Sequence, residues 1–173
     1  MSGLAGAAAM VAAPRILSSV MVPTPRQTAG PFYPDRLPLD TDNDLLRIND
    51  ADSQAYLHSE SGDREQRDAG FQGYGRCITG NDGEYTFRTV KPVPYASRTP
   101  HIHFAVRRPG SSERFTTQMY VKGEPLNARD RLLNAIEDRL ARDSVIVDFQ
   151  PLATGSSELA ARFDIVLGET PGA

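Results

Sequence analysis

The chain of 173 residues has a single cysteine, Cys77, so no disulfide can form within it and its fold does not depend on an oxidising compartment. No apolar run approaches the roughly 20 residues that a membrane-spanning helix needs, so no membrane partner is expected. An excess of basic charge is also missing. The formal net charge is -3, which gives no electrostatic support to a nucleic-acid partner. There is no internal repeat and no composition shift of the kind that marks a domain boundary, and the length suits one domain with a single core.

What is present is unevenly distributed. Leu4 to Ala13 is a short Ala-rich apolar run without the preceding positive charges of a secretory signal. Residues 1–22 therefore read as a tail outside the fold, either a signal remnant or a disordered start, and 23–173 as the domain. A cytoplasmic location is expected, with export as the alternative. Pro23 to Pro38 is rich in proline and carries Phe32 and Tyr33, which predicts an extended arm lying along the body or across a neighbouring subunit. Leu45 to Ile48 is a short apolar segment, and Asn49 to Gly70 is polar and aperiodic, hence loop.

From Gly73 the pattern turns to strands. Tyr74–Thr79 and Glu84–Val90 flank Asn81-Asp82-Gly83, a hairpin signal. Pro100–Arg107 and Arg114–Lys122 are predicted as two further strands around a turn at Pro109-Gly110. Asn127 can cap a helix with Asp130 at N3, in which Leu132, Leu133, Ile136 and Leu140 share a face, ending near Asp143. Val145, Val147 and Phe149 alternate, as do Phe163, Ile165 and Leu167, giving the last strands. The sum is a mainly β chain, a β-sandwich with one surface helix.

The chemistry gathers at Pro94 to Phe104, which reads Pro-Tyr-Ala-Ser-Arg-Thr-Pro-His-Ile-His-Phe. His101 and His103 alternate with Ile102, Phe104 and Val106, so on a strand both imidazoles share one face and the apolar residues share the other. Tyr95 and Arg98 lie just upstream in a proline-bounded loop. Two imidazoles, a phenol and a guanidinium point to a metal site with a cation beside it. Residue type leaves three readings open: an exposed pair that binds nothing, a zinc site, or a site for another imidazole-binding metal such as iron or copper. His58 lies in the polar loop and reads as solvated. A phenol, with a pKa near ~10, ligates only where a strongly charged ion displaces its proton, and its hard anionic oxygen suits Fe(III) better than zinc. Tyr33, Tyr74, Tyr85 and Tyr120 sit where packing is the default reading, and Tyr56 stands in a loop with little else apolar around it. Spacing alone does not choose a second phenol.

Several segments resemble the intradiol ring-cleavage dioxygenases, in their protocatechuate 3,4-dioxygenase-like branch. They are Thr24-Pro-Arg-Gln-Thr-Ala-Gly-Pro-Phe-Tyr-Pro34, Phe71-Gln-Gly-Tyr-Gly-Arg76, Gly83-Glu-Tyr-Thr-Phe-Arg-Thr89, Arg98-Thr-Pro-His-Ile-His-Phe104, Thr116-Thr-Gln-Met-Tyr120 and Ala161-Arg-Phe-Asp-Ile-Val166. The resemblance implies a non-haem Fe(III) held by Tyr56, Tyr95, His101 and His103. It further implies Arg98 and Gln118 as catalytic residues, with Ser97 as a substrate-binding candidate. The implied enzyme cleaves a small aromatic diol, protocatechuate- or catechol-like, between its two hydroxylated carbons with O2 to give a cis,cis-muconate. Such oxidoreductases serve aromatic compound catabolism, and the branch tends to form homo-oligomers.

The chain departs from the family at one place. Leu45-Leu-Arg-Ile48 runs almost directly into Asn49-Asp-Ala-Asp52, where the family has two strands and a tryptophan. This chain has no tryptophan, so those two strands are expected to be absent and the support of Tyr56 reduced. That departure carries the competing reading, an inactive β-sandwich binding or structural module derived from the family.

Overall fold

A computed structural model describes residues 21–29, 43, 71, 73–94 and 97–168. The expectations for the tail before residue 21, for Phe32, Tyr33, Leu45–Ile48, the 49–70 loop and the two absent strands fall outside these residues.

The centre of the fold is an antiparallel pair, β1 (His101–Arg107) and β2 (Arg114–Val121). The turn between them is the predicted one, with Gly110 at φ 74° and Ser111 N–H donating to the Arg108 carbonyl at 3.1 Å. A positive φ of this size is a conformation that glycine adopts without a Cβ penalty. The register sets His101 opposite Tyr120, Ile102 opposite Met119, His103 opposite Gln118 and Phe104 opposite Thr117. Because side chains alternate across a strand, His101, His103, Gln118 and Tyr120 share one face, and Ile102, Phe104 and Met119 share the other.

β2 is the middle strand. Along its second edge, Tyr120 N–H donates to the Val145 carbonyl and Lys122 N–H to the Val147 carbonyl, each at 2.8 Å, where the parallel strand β3 (Ile146–Val147) lies. The other half of that edge is taken by the N-terminal arm. Gln27 N–H donates to the Thr116 carbonyl at 2.8 Å, and Thr116 Oγ1 donates back to the Gln27 carbonyl at 2.6 Å. Thr24 N–H reaches the Val166 carbonyl at 2.9 Å, so the arm also ties the C-terminal segment. The described part of the arm therefore lies along the body, which removes an exposed strand edge.

Among the described residues, the apolar face of β1 and β2 packs against extended segments rather than a second long ladder. Phe104 meets Phe163 edge to face at 5.2 Å and Tyr85 at 6.0 Å between ring centroids, and the Tyr85 hydroxyl donates to the Phe163 carbonyl at 2.5 Å. The core cluster joins Met119, Tyr120, Leu133, Val145, Val147 and Phe163. Asn81-Asp82-Gly83 makes its turn, with Gly83 N–H on the Gly80 carbonyl and Gly83 at φ 75°. No ladder joins 74–79 to 84–90, however. Arg88 N–H instead donates to the Asn43 carbonyl, and Asn43 Nδ2 to the Thr86 carbonyl, each at 3.0 Å. The C-terminal alternation of Phe163 and Ile165 holds as an extended segment. Just before it, a two-residue ladder joins β4 (Gln150–Pro151) to β5 (Leu159–Ala160).

The single surface helix predicted from Asn127 is instead three short pieces. A turn of 3-10 helix covers Pro125–Ala128, α1 covers Arg131–Asn134 and α2 covers Arg139–Ser144. The cap is not Asn127. Asp130 Oδ1 accepts from Leu132 N–H and Leu133 N–H, both at 3.0 Å, and Asp138 Oδ1 accepts from Ala141 N–H at 3.0 Å. Two strong N-cap residues eight positions apart restart the helix rather than continue it, because each side-chain acceptor takes over N–H groups of a new first turn. Of the expected apolar face, Leu133 is buried and Ile136 packs on the core, while Leu140 stays 65% exposed. No helix among the described residues is long and apolar enough to cross a membrane.

Candidate functional site

The polar face of β1 and β2 carries the candidate site. The two imidazoles stand with ring centroids 5.0 Å apart, and the Tyr120 ring lies 6.0 Å from that of His101. His101 is half-buried and His103 exposed. His101 Nδ1–H donates to the Thr99 carbonyl at 2.6 Å. A carbonyl oxygen only accepts, so the ring proton sits on Nδ1 and the lone pair on Nε2. Burial pushes the His101 pKa below the ordinary histidine value. The Thr99 carbonyl opposes this, the Arg98 charge adds to it, and Asp130 opposes it. A neutral imidazole with its Nδ1–H fixed by a carbonyl is the form in which histidine ligates a metal through Nε2.

Beside the histidines is a hydrogen-bonded polar cluster. Arg98 Nε donates to Asp130 Oδ2 at 2.7 Å, and its Nη2 donates to Gln118 Oε1 at 2.6 Å and to the Tyr120 hydroxyl at 3.3 Å. Gln118 Nε2 donates to the Thr28 carbonyl at 3.0 Å. A guanidinium can only donate and a carbonyl can only accept, so these two partners fix which end of the Gln118 amide faces which. The Tyr120 hydroxyl donates to Gln27 Oε1 at 2.7 Å, and Gln27 Nε2 donates to the Gln118 carbonyl at 3.2 Å. Asp130, Gln118 and Tyr120 are each 0% exposed, so the partners of the part-exposed Arg98 guanidinium are desolvated as well as connected.

The electrostatics follow from this geometry. Burial would raise the Asp130 pKa, but the Arg98 hydrogen bond, the Leu133 and Thr99 N–H groups and the Arg98 charge outweigh it and hold the carboxyl below its ordinary value. Tyr120 is pushed up, first by burial and further by Asp130, against the opposing Arg98 charge and hydrogen bond. It therefore stays a neutral phenol at neutral pH and serves the network as a hydroxyl.

A family model described as "Dioxygenase" matches residues 36–169. The protocatechuate 3,4-dioxygenase beta chain of Burkholderia cepacia is 35% identical over 134 residues, covering 72% of this chain. The chain belongs to the intradiol ring-cleavage dioxygenase family. It spans 57% of the length of that curated relative. Among solved structures, it is similar to the dioxygenase domain of a dioxygenase carbohydrate-binding protein fusion from the cellulolytic bacterium Streptomyces sp. SirexAA-E. That likeness has a TM-score of 0.61 and 25% identity, over 84% of this chain and 98% of that one. The mainly β reading and the sandwich class of the family stand with this likeness.

Of the family residues carried over from the sequence, the fold brings His101, His103, Arg98 and Gln118 to one region. Ser97 is exposed in the turn before Arg98. Tyr56 and Tyr95 lie outside the described residues. No group of three or more His, Cys, Asp or Glu side chains converges among the described residues. The donor set expected for the family draws on tyrosine oxygens as well as imidazole nitrogens. On the described half of that set, the fixed Nε2 lone pair of His101 and the facing His103 ring fit a metal ion.

Three partners in the cluster were not legible beforehand. Tyr120 read as a packing residue, and it is indeed buried, yet its hydroxyl joins Arg98 to Gln27. The available signal was its spacing of two from Gln118, which puts both on one strand face. Gln27 reads as part of an extended arm within a segment that resembles the family, with no role assigned to its side chain, and Asp130 only as an N3 position. Nothing in the local pattern ties either of them to Arg98.

Proposed function

We propose that this chain is a non-haem Fe(III) dioxygenase that cleaves a catechol-type ring between its two hydroxylated carbons with O2, giving a cis,cis-muconate. One observation carries the reading. The β1 and β2 register puts His101 and His103 on the same face as Gln118, and the Arg98 guanidinium is bonded to Gln118 there. Family membership supports the reaction class, and the curated relative's own name points to protocatechuate among the candidate diols.

In this reading Tyr56, Tyr95, His101 and His103 hold the iron, which supplies Lewis-acid polarisation and a template for the diol. The Thr99 carbonyl keeps the His101 proton on Nδ1 and so keeps Nε2 available. Arg98 is held at Nε and Nη2, while its Nη1 has no acceptor among the described residues. With Nε and Nη2 engaged, the Nη1 donors are the ones left for the negative charge that develops on the substrate oxygens. A preorganised donor of this kind contributes about 3 kcal/mol to a transition state. Gln118 cannot rotate away, because both ends of its amide are engaged.

The test is oxygen consumption by the iron-loaded protein with protocatechuate and with catechol, together with the ultraviolet spectrum of the product. Stoichiometric uptake and a muconate product support the reading. Iron-loaded protein that consumes no oxygen with either diol leaves the inactive binding module as the better account.

A further inference from the structure

The reaction proposed above gives Asp130 no part, yet this carboxylate is fully buried and has both oxygens committed. Oδ1 accepts the N–H groups of Leu132 and Leu133 and so starts α1. Oδ2 accepts Arg98 Nε at 2.7 Å and Thr99 N–H at 3.0 Å. Helix capping needs only the first oxygen, and serine or asparagine would cap as well. The second oxygen is directed at the loop that leads into β1. Through Nε it sets the plane of the guanidinium whose Nη2 meets Gln118. Through Thr99 N–H it holds the residue whose carbonyl fixes the His101 proton.

We propose that Asp130 is a positioning residue: its Oδ2 holds Arg98 and the Thr99 carbonyl in place for the ring-cleavage site, without itself touching substrate. The proposal rests on the reading of Arg98 and His101 as parts of that site.

Asp130→Asn separates the two oxygens. An asparagine carbonyl still accepts from Leu132 and Leu133, while the amide nitrogen replaces the acceptor facing Arg98 and Thr99 with a donor. Partners at this remove from a reaction centre cost about 10- to 100-fold in activity when changed. The expected result is therefore a kcat lowered by about that factor, with KM for the diol changed by less than about threefold. On an Arg98→Lys background, which cannot reproduce the Nε bond, the same substitution is expected to lower kcat by a smaller factor than in the wild type, because only the hold on Thr99 N–H is left to lose. A second readout uses the iron-free protein. The Arg98 Nε–H resonance, assigned by its loss in Arg98→Lys, is expected to be protected from exchange in the wild type and to lose that protection in Asp130→Asn.

Asp130→Ser, which caps with one oxygen and leaves the Arg98 side empty, replaces the asparagine variant if that one does not fold. An unchanged kcat, an unchanged Arg98 resonance, or an equal loss on both backgrounds overturns the proposal. Failure of both variants to fold also overturns it, since Asp130 is then purely structural. A wild-type protein that turns over no diol is a separate failure. It removes the reading of the whole site, and this role with it, whatever the variants do to the resonance.

Discussion

Arg98 Nη2 lies 2.6 Å from Gln118 Oε1, a contact between a loop residue and a buried residue of the central strand. The guanidinium is thereby held by two buried partners, since Asp130 takes its Nε. A single substitution should therefore affect both rate and stability. Arg98→Ala is expected to lower kcat by about 10²- to 10³-fold. It should also destabilise the fold by about 3 kcal/mol, because Asp130 is left as an uncompensated buried charge. Oxygen uptake and urea denaturation check the two effects separately.

Acid should weaken the protein partly through Asp130. Its folded-state pKa lies below the ordinary value of 3.8. The folded state therefore favours the carboxylate, and the stabilisation is fully present above that ordinary value. It is lost as pH falls below it, through the depressed folded value. The stability difference between wild type and Asp130→Asn should shrink as pH is lowered from 5 to 2. Chemical denaturation across that range is the measurement.

The opposite sign applies at high pH. Burial first, and then the Asp164 charge, push Tyr85 up to about 12 from the ordinary value of 10.0. The folded state favours the neutral phenol that bonds to the Phe163 carbonyl. This contribution is present below pH 10 and is lost as pH rises toward 12. Tyr85→Phe should start less stable at neutral pH and lose less than the wild type between pH 10 and 12, as followed by denaturation in matched buffers.

The arm should matter more through Gln27 than through its charge. Gln27 accepts from Tyr120, donates to the Gln118 carbonyl and pairs its backbone with Thr116. Gln27→Ala leaves part-buried polar groups short of partners and should cost about 1–3 kcal/mol. The exposed Arg26 and Glu113 pair, at 2.8 Å, should be worth no more than about 1 kcal/mol when Glu113 is replaced by alanine. Thermal unfolding of the two variants tests that ranking.

The parts of this molecule governed by local periodicity could be read in advance. The His-x-His alternation gave β1 its two faces, and Pro109-Gly110 gave the turn into β2, because a strand's period of two and a glycine's positive φ are properties of neighbouring residues. Gln118 was placed by resemblance, and the register then set it opposite His103. What could not be read was long-range. The bond from Asp130 to Arg98 spans 32 residues, and that from Tyr120 to Gln27 spans 93. The helix breaks up for a local reason. Asp130 and Asp138 both cap, and competition between caps is not visible in an apolar period that runs unbroken from Leu132 to Leu140.

The central claim is that His101 and His103 join tyrosine oxygens around a ferric ion. Its most direct test is the visible spectrum of the protein titrated with iron in air. The account predicts uptake of a single Fe(III) per chain with a red phenolate-to-iron charge-transfer band, and loss of both band and iron in His101→Ala and in His103→Ala. A protein that stays colourless and iron-free, or that binds iron equally well without either histidine, contradicts it.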